Sequence, residues 1–124
     1  MIAADSSSLI AYFQGERAVD VDAVEAALDN YSLRIAPIVI TELLSGPVGA
    51  PAFAPLLAAL PRLELLDGYW ERAGKTRSLV LSHGLKARLA DTMVAQACID
   101  HNMPLIARDG DFRHFAKHCG LVLA

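Results

Sequence analysis

The sequence predicts an α/β fold, a single domain over residues 1–124 with a roughly five-stranded parallel sheet and helices on both faces. Short apolar runs alternate with segments of helical periodicity from one end of the chain to the other. The 124 residues are the size of one domain, and an apolar content of 54% supplies one packed core. No internal repeat, linker or low-complexity tract divides it.

Ile2-Ala3-Ala4 reads as a short buried strand, and Ser6 to Gln14 as a helix opened by a hydroxyl-rich cap. Val21, Val24, Ala27 and Leu28 repeat at helical spacing before a break at Asn30 to Ser32. Leu33 to Ile40 is short and β-branched, which predicts the second strand; Thr41 to Leu44 then begins a helix that Gly46-Pro47 stops. Phe53 to Leu60 predicts a short helix ended by Pro61, and Leu63 to Leu66 a third strand. Tyr69 to His83 is helical up to Gly84, and Leu89 to His101 is a strongly apolar helix. Pro104 to Ala107 predicts the fourth strand, Phe112 to Lys117 a short helix closed by Gly120, and Leu121 to Leu123 the fifth strand.

Bulk properties narrow the function classes. Met1 to Asp5 shows neither the basic start nor the long apolar stretch of a signal peptide. The richest apolar run, Ala50 to Leu60, carries Pro51 and Pro55 and is too short to span a bilayer. Cys98 and Cys119 stand far apart without a C-x-x-C pairing, as expected of free thiols in a reducing cytoplasm. The net charge of −3 does not announce a nucleic-acid binder, but its distribution is uneven. Up to Asp67 there are nine acids and three bases; from Gly68 onward there are five acids and eight bases. Arg72, Lys75, Arg77, Lys86 and Arg88 gather with only Glu71 among them. Such a face attracts phosphate, and it serves equally well as a solvated helix surface.

Sites in open α/β sheets form at the carboxyl ends of strands. Asp5 ends the first strand, Glu42 follows the second at a helix start, Asp91 opens the long helix before the fourth, and Asp109 comes just after the fourth. Taken singly, each has a plain structural reading, because acids near helix starts are common caps. Four acids from separate segments on one sheet edge ask for more. Crowded carboxylates repel one another, and some protonate unless a hard dication relieves the charge. Magnesium does so with one or two carboxylates per ion while keeping several waters, and two ions about 4 Å apart stabilise both oxygens of a phosphodiester displacement. Acids without neighbouring His or Cys favour Mg2+ or Mn2+ over zinc.

Four segments resemble those of PIN domains, and of VapC-type toxins in particular. Met1 to Ile10 is similar to their opening strand and D-[ST]-S-x-L-I turn, and Ile40-Thr41-Glu42-Leu43 to their second acidic motif. Leu89 to Ala97 resembles the L-x-D-x-x-I-A-A-x-A helix, and Pro104 to Phe112 the closing P-L-V-T-x-D-x-D-F segment. The four occur in the family's order and span nearly the whole chain. The resemblance implies a magnesium- or manganese-dependent endoribonuclease that hydrolyses RNA by metal-activated water, homodimerises, and is neutralised by a cognate antitoxin. It implies an acidic quartet of Asp5, Glu42, Asp91 and Asp109 as catalytic and metal-binding residues, with Asp5 and Asp91 the direct ligands and Asp111 contributing through water. Ser7 matches a small polar position beside the first acid. Ala107 departs from the family, which usually has Thr or Ser there, and puts a supporting hydrogen bond in doubt.

Other features carry two readings each. His114, His118 and Cys119 suggest zinc only weakly, for want of a second ligand pair. Tyr69 and Trp70 could stack a base or anchor a helix. Ile10, Tyr12, Phe13, Leu43, Leu44 and Phe53 serve either the core or a partner groove, with Phe13, Leu43 and Phe53 the expected anchors for an antitoxin. Among rival functions, a phosphate receiver needs paired acids near the first strand, and a haloacid-dehalogenase-type phosphatase needs an acid where Ser7 stands. The alternative from another class is a catalytically silent PIN scaffold that binds RNA or protein.

Overall fold

The computed structural model describes residues 1–46 and 50–124. Its centre is β1 (Ile2–Ala4), flanked in parallel by β2 (Leu33–Arg34) and β3 (Leu105–Ile106) in the order β2-β1-β3. Ala3 pairs with Arg34 on one side and Leu105 on the other, and Ala4 pairs with Ile106. Ala3 and Ala4 are almost wholly buried, as a central parallel strand covered on both faces requires.

Among the described residues the expected five strands are three. The outer two shrink to isolated parallel bridges, Ile35 with Arg62 and Leu105 with Leu123. Each edge keeps a pair of backbone bonds: Ile35 N–H to Pro61 O at 3.2 Å and Leu63 N–H to Ile35 O at 2.9 Å on one side, Leu105 N–H to Val122 O and Ala124 N–H to Leu105 O, both 2.9 Å, on the other. Pro61 has no N–H to give, and both segments adjoin a left-handed glycine, Gly68 or Gly120, where the chain changes direction. Leu63 to Leu66 and Leu121 to Leu123 therefore carry strand-like sequence without room for a ladder.

The second strand also ends early. β2 stops at Arg34, and α3 (Pro37–Ser45) takes in Ile38, Val39 and Ile40. Pro37 at the first helical turn has its φ preset for a helix, behind an extended Ala36. β-branched residues lower helix propensity by only a fraction of ~1 kcal/mol each, and the complete burial of Val39 offsets that. Glu42 thus lies in the second turn of a helix rather than at its start.

The remaining helices fall close to expectation: α1 (Ser6–Phe13), α2 (Val19–Asp29), α4 (Ala50–Ala59), α5 (Tyr69–Ser82), α6 (Leu89–Asp100) and α7 (Phe112–Cys119). The break after α2 is made by Tyr31 at φ +54°, and α7 is closed by Gly120 at φ +82°. Of the Gly46-Pro47 stop, Gly46 caps α3 and Pro47 lies outside the described residues. Leu9, Val24, Val39, Leu43, Val94 and Phe112, from five helices, join the sheet in one apolar cluster. Among the described residues no helix is long and apolar enough to cross a membrane.

Candidate metal centre

Asp5 follows β1 and stands at the N-cap of α1, where its own N–H donates to Ile106 O at 2.9 Å. That bond places it beside the end of β3. It thus occupies the cap position the sequence offered, with the Ser6 and Ser7 amides near its carboxyl but no side-chain cap hydrogen bond of full geometry. The residue is only 4% exposed; Ser7 Oγ donates to its Oδ2 at 3.0 Å, while Oδ1 has no partner. Burial pushes the carboxyl up from its ordinary value, outweighing the Ser7 hydroxyl and the Ser6 and Ser7 amides, and the charge of Asp109 adds to the rise.

Glu42 and Asp91 repeat the pattern. Glu42 Oε1 is buried without a partner, and burial, then Asp5, push its carboxyl up against the opposing pull of the Ser6 hydroxyl, with Asp91 adding more. Asp91 sits in the first turn of α6, whose N-cap is Arg88, so it is not the cap. Its Oδ2 is likewise orphaned, and burial followed by the charges of Asp5 and Asp109 pushes it up to about 6, with Arg88 easing the rise. The hydroxyls that the sequence offered as a helix cap therefore face carboxylates instead.

Asp109 differs. Its Oδ1 accepts the Asp111 N–H at 2.9 Å, shaping the turn into α7, while its charge still reaches Asp5 and Asp91. Asp111 is the α7 N-cap without a side-chain cap bond; its Oδ2 lies 4.0 Å from Lys86 Nζ, and its charge also reaches Asp91. Ala107 offers no hydroxyl to any of them. The five acids named from the sequence thus share one electrostatic field, three with a buried unpartnered oxygen and one engaged in a turn.

An orphaned buried carboxylate oxygen costs about 1–3 kcal/mol or more, so three on neighbouring acids need a reason. Among the described residues no three His, Cys, Asp or Glu side chains are already drawn together as a metal-holding group. Magnesium does not require one, since it takes one or two carboxylates directly and fills its octahedron with water. An all-oxygen donor set with buried, unpartnered acceptors fits a hard dication. Asp5, Glu42 and Asp91 could hold it, with Asp109 and Asp111 reaching it through water.

The structure sorts the other candidates. Arg72 forks onto Asp100 at 3.0 and 2.6 Å, and Arg77 Nε donates to Ala87 O at 2.8 Å, so two of the five bases are structural. Lys86 and Arg88 border the acids. Leu43 and Phe53 are core residues, not groove anchors, while Phe13 is partly exposed and meets Phe53 edge-on at 4.5 Å. Tyr69 is buried with its hydroxyl donating to Met93 O at 2.6 Å; Trp70 is exposed at the rim of a groove of about 510 Å³ lined by Ile38, Leu65, Leu89 and Met93. His118 stacks on His83 at 4.0 Å and His114 Nδ1 lies 3.1 Å from Lys86 O, which gives no zinc geometry. Arg108, Asp20, Glu16 and Ser8 form a polar cluster that sequence reasoning missed. Its pairing spans about ninety residues and left no local trace, beyond the adjacency of Arg108 to Asp109.

A parallel α/β domain with an acid-lined edge at its strand ends is the class that fold and site define. The chain belongs to the PIN domain family, which matches residues 2–118. No curated protein sequence matches it. Solved structures with a similar fold include VapBC2 from Rickettsia felis bound to a DNA fragment from its promoter, at TM-score 0.75 and 18% identity over 100% of this chain and 98% of that one. FitAcB from Neisseria gonorrhoeae is similar at TM-score 0.71 and 19% identity, over 100% and 97%. A toxin–antitoxin complex from Klebsiella pneumoniae gives TM-score 0.65 and 20% identity, over 98% and 96%.

Proposed function

We propose that the protein is a magnesium- or manganese-dependent endoribonuclease, the toxin of a cytoplasmic toxin–antitoxin pair. The observation that carries the reading is the set of buried, unpartnered oxygens on Asp5, Glu42 and Asp91. Those side chains and Asp109 would hold the ion. When bound, it supplies charge neutralisation at a phosphodiester and a more acidic water. Ser7 holds Asp5 in one rotamer through its hydroxyl, and burial keeps competing water from Asp5. Lys86 and Arg88 lie beside the acids and would serve as counter-charges for RNA phosphate. The relatives' toxin–antitoxin complexes support an antitoxin partner here, and a basic side chain bridging two carboxylates would neutralise the same pocket.

The test is cleavage of single-stranded RNA with magnesium and its loss with EDTA. Melting gives a second readout. Saturating magnesium at neutral pH is expected to raise Tm by roughly 5–10 °C, because ligand at a hundred times its Kd adds about 2.7 kcal/mol to a domain of this size. An unchanged Tm with magnesium and with manganese sinks the metal assignment. A rise in Tm without RNA cleavage selects the silent scaffold.

We assign the homodimer contact to the groove at Trp70, where Trp70 and Leu89 are 62% and 58% exposed on adjoining helices. Trp70→Glu is expected to convert a dimer into a monomer in sedimentation at micromolar concentration. A monomeric parent protein, or a variant that still dimerises, removes that assignment.

A further inference from the structure

Arg108 lies two residues beyond β3 and one before Asp109, and all three nitrogens of its guanidinium donate to acids elsewhere. Nε donates to Asp20 Oδ2 at 2.9 Å, Nη2 to Asp20 Oδ1 at 3.2 Å, and Nη1 to Glu16 Oε2. Asp20 lies in the first turn of α2, and its Oδ2 also accepts from Ser8 Oγ at 2.9 Å. Ser8 is fully buried on α1, three residues after Asp5. An unbroken polar chain therefore runs from the segment that carries Asp109 to the helix that Asp5 opens.

We infer that Arg108 is a positioning residue, whose fork onto Asp20 and Glu16 holds Asp109 in place against the like charges of Asp5 and Asp91. This role rests on the metal site proposed above. The force to be resisted is the mutual repulsion of like-charged carboxylates gathered at one edge of the sheet. The hold that Asp109 has on its own is internal: its Oδ1 accepts from Asp111, its carbonyl from Phe112 at 3.4 Å, and Gly110 O from Arg113 at 3.1 Å. Bonds inside a segment do not stop the segment from moving as a body. The sheet ladder ends at Ile106 O, which accepts from Asp5. Beyond it, the buried Phe112 and the His114 Nδ1 contact to Lys86 O anchor the far end in α7, while between Ala107 and Asp111 the described polar ties to other elements are the 4.0 Å Lys86–Asp111 pair and the Arg108 fork.

A planar two-toothed fork fixes direction as well as distance, which a lysine ammonium does not. Arg108 is the chain neighbour of Asp109, so a tether on its side chain also restrains the backbone that carries Asp109. Glu16 and Asp20 together offset the cation, which separates this role from phosphate binding. The contrary reading is a partly exposed ion pair of the kind that contributes little.

The experiment uses the full chain without metal. Amide hydrogen exchange is followed in the parent protein, Arg108→Ala, Asp20→Asn and the double variant, and magnesium affinity is measured by calorimetry. Exchange at the Asp111 and Phe112 amides is expected to quicken about tenfold in each single variant while α5 amides stay unchanged. Magnesium affinity is expected to fall roughly tenfold, the usual effect of an outer-shell partner. The double variant is expected to lose no more than either single one. Parent-like exchange and affinity in Arg108→Ala, or losses that add in the double variant, overturn the inference. If Arg108→Ala does not fold, Arg108→Lys decides it, since it keeps the charge and loses the fork. If the parent protein binds no magnesium, the metal reading fails, and the exchange arm still decides whether the clamp holds the segment.

Discussion

Asp91→Asn is expected to lower magnesium-dependent RNA cleavage by more than about a hundredfold while making the metal-free protein more stable at neutral pH. Loss of activity follows from removing one ligand charge and one acceptor at the site. The gain in stability follows from linkage. Burial first, and then Asp5 and Asp109, raise the Asp91 carboxyl from 3.8 to about 6. A carboxyl whose folded pKa is raised favours folding fully below its unfolded value, near 4, and that contribution is lost as pH rises through about 6. Asparagine never acquires the charge, so the variant does not suffer the loss. A rise of that size corresponds to about 3 kcal/mol, reduced to about 1–2 kcal/mol because the site is partly open to solvent. Urea unfolding in EDTA from pH 3 to 8 checks this: the stabilities should coincide below about pH 4, part between about pH 4 and 6, and keep a constant gap above that. A gap that does not change with pH, or cleavage at the parent rate, would falsify the assignment.

The charge of Asp91 also raises the Glu42 carboxyl, so removing it eases that ionisation, in the same direction. The expected stability curve therefore belongs to the cluster rather than to one residue. Magnesium should reverse the ordering, stabilising the parent protein more than the variant, if the groups that repel in its absence bind it as proposed.

The acids were legible in the sequence because each lies next to a strong local signal: the end of an apolar run, a helix start, or a turn before a helix. Their common field follows from the parallel order of the strands, which strand–helix alternation already implied. Of the three acids whose local pattern suggested a cap, Asp5 and Asp111 occupy N-cap positions without a side-chain cap bond and Asp91 does not, while Asp109 accepts the Asp111 amide. Strand extent was not legible. Ile38, Val39 and Ile40 have strand propensity, but Pro37 and the burial of Val39 commit them to a helix, a tertiary effect that no window of residues contains. Leu63 to Leu66 and Leu121 to Leu123 read as strands because they are apolar, whereas a ladder also needs a partner along its length. The Arg108 cluster was invisible for the same reason, since it joins residues from opposite ends of the chain.

Leu43→Ala is expected to cost about 2–5 kcal/mol of folding stability, whereas Phe13→Ala costs about 1 kcal/mol. Both positions were candidates for one partner groove, and their exposure separates them. Leu43 is 1% exposed, beside a Phe53 that is 3% exposed, so truncating it opens a cavity under α3 where Glu42 is held. Phe13 is 36% exposed at the end of α1, with one edge on Phe53 and another on Tyr12, so its loss removes an aromatic contact and little buried area. If the antitoxin covers the end of α1, Phe13→Ala should weaken its binding by about 1–3 kcal/mol while cleavage by the free protein continues. Leu43→Ala should weaken stability, cleavage and binding together, since Glu42 moves with its helix. Urea unfolding, RNA cleavage and antitoxin titration on the two variants measure all three. A Leu43→Ala protein as stable as its parent would return Leu43 to the surface, and antitoxin binding unchanged by Phe13→Ala would place the partner on a different face.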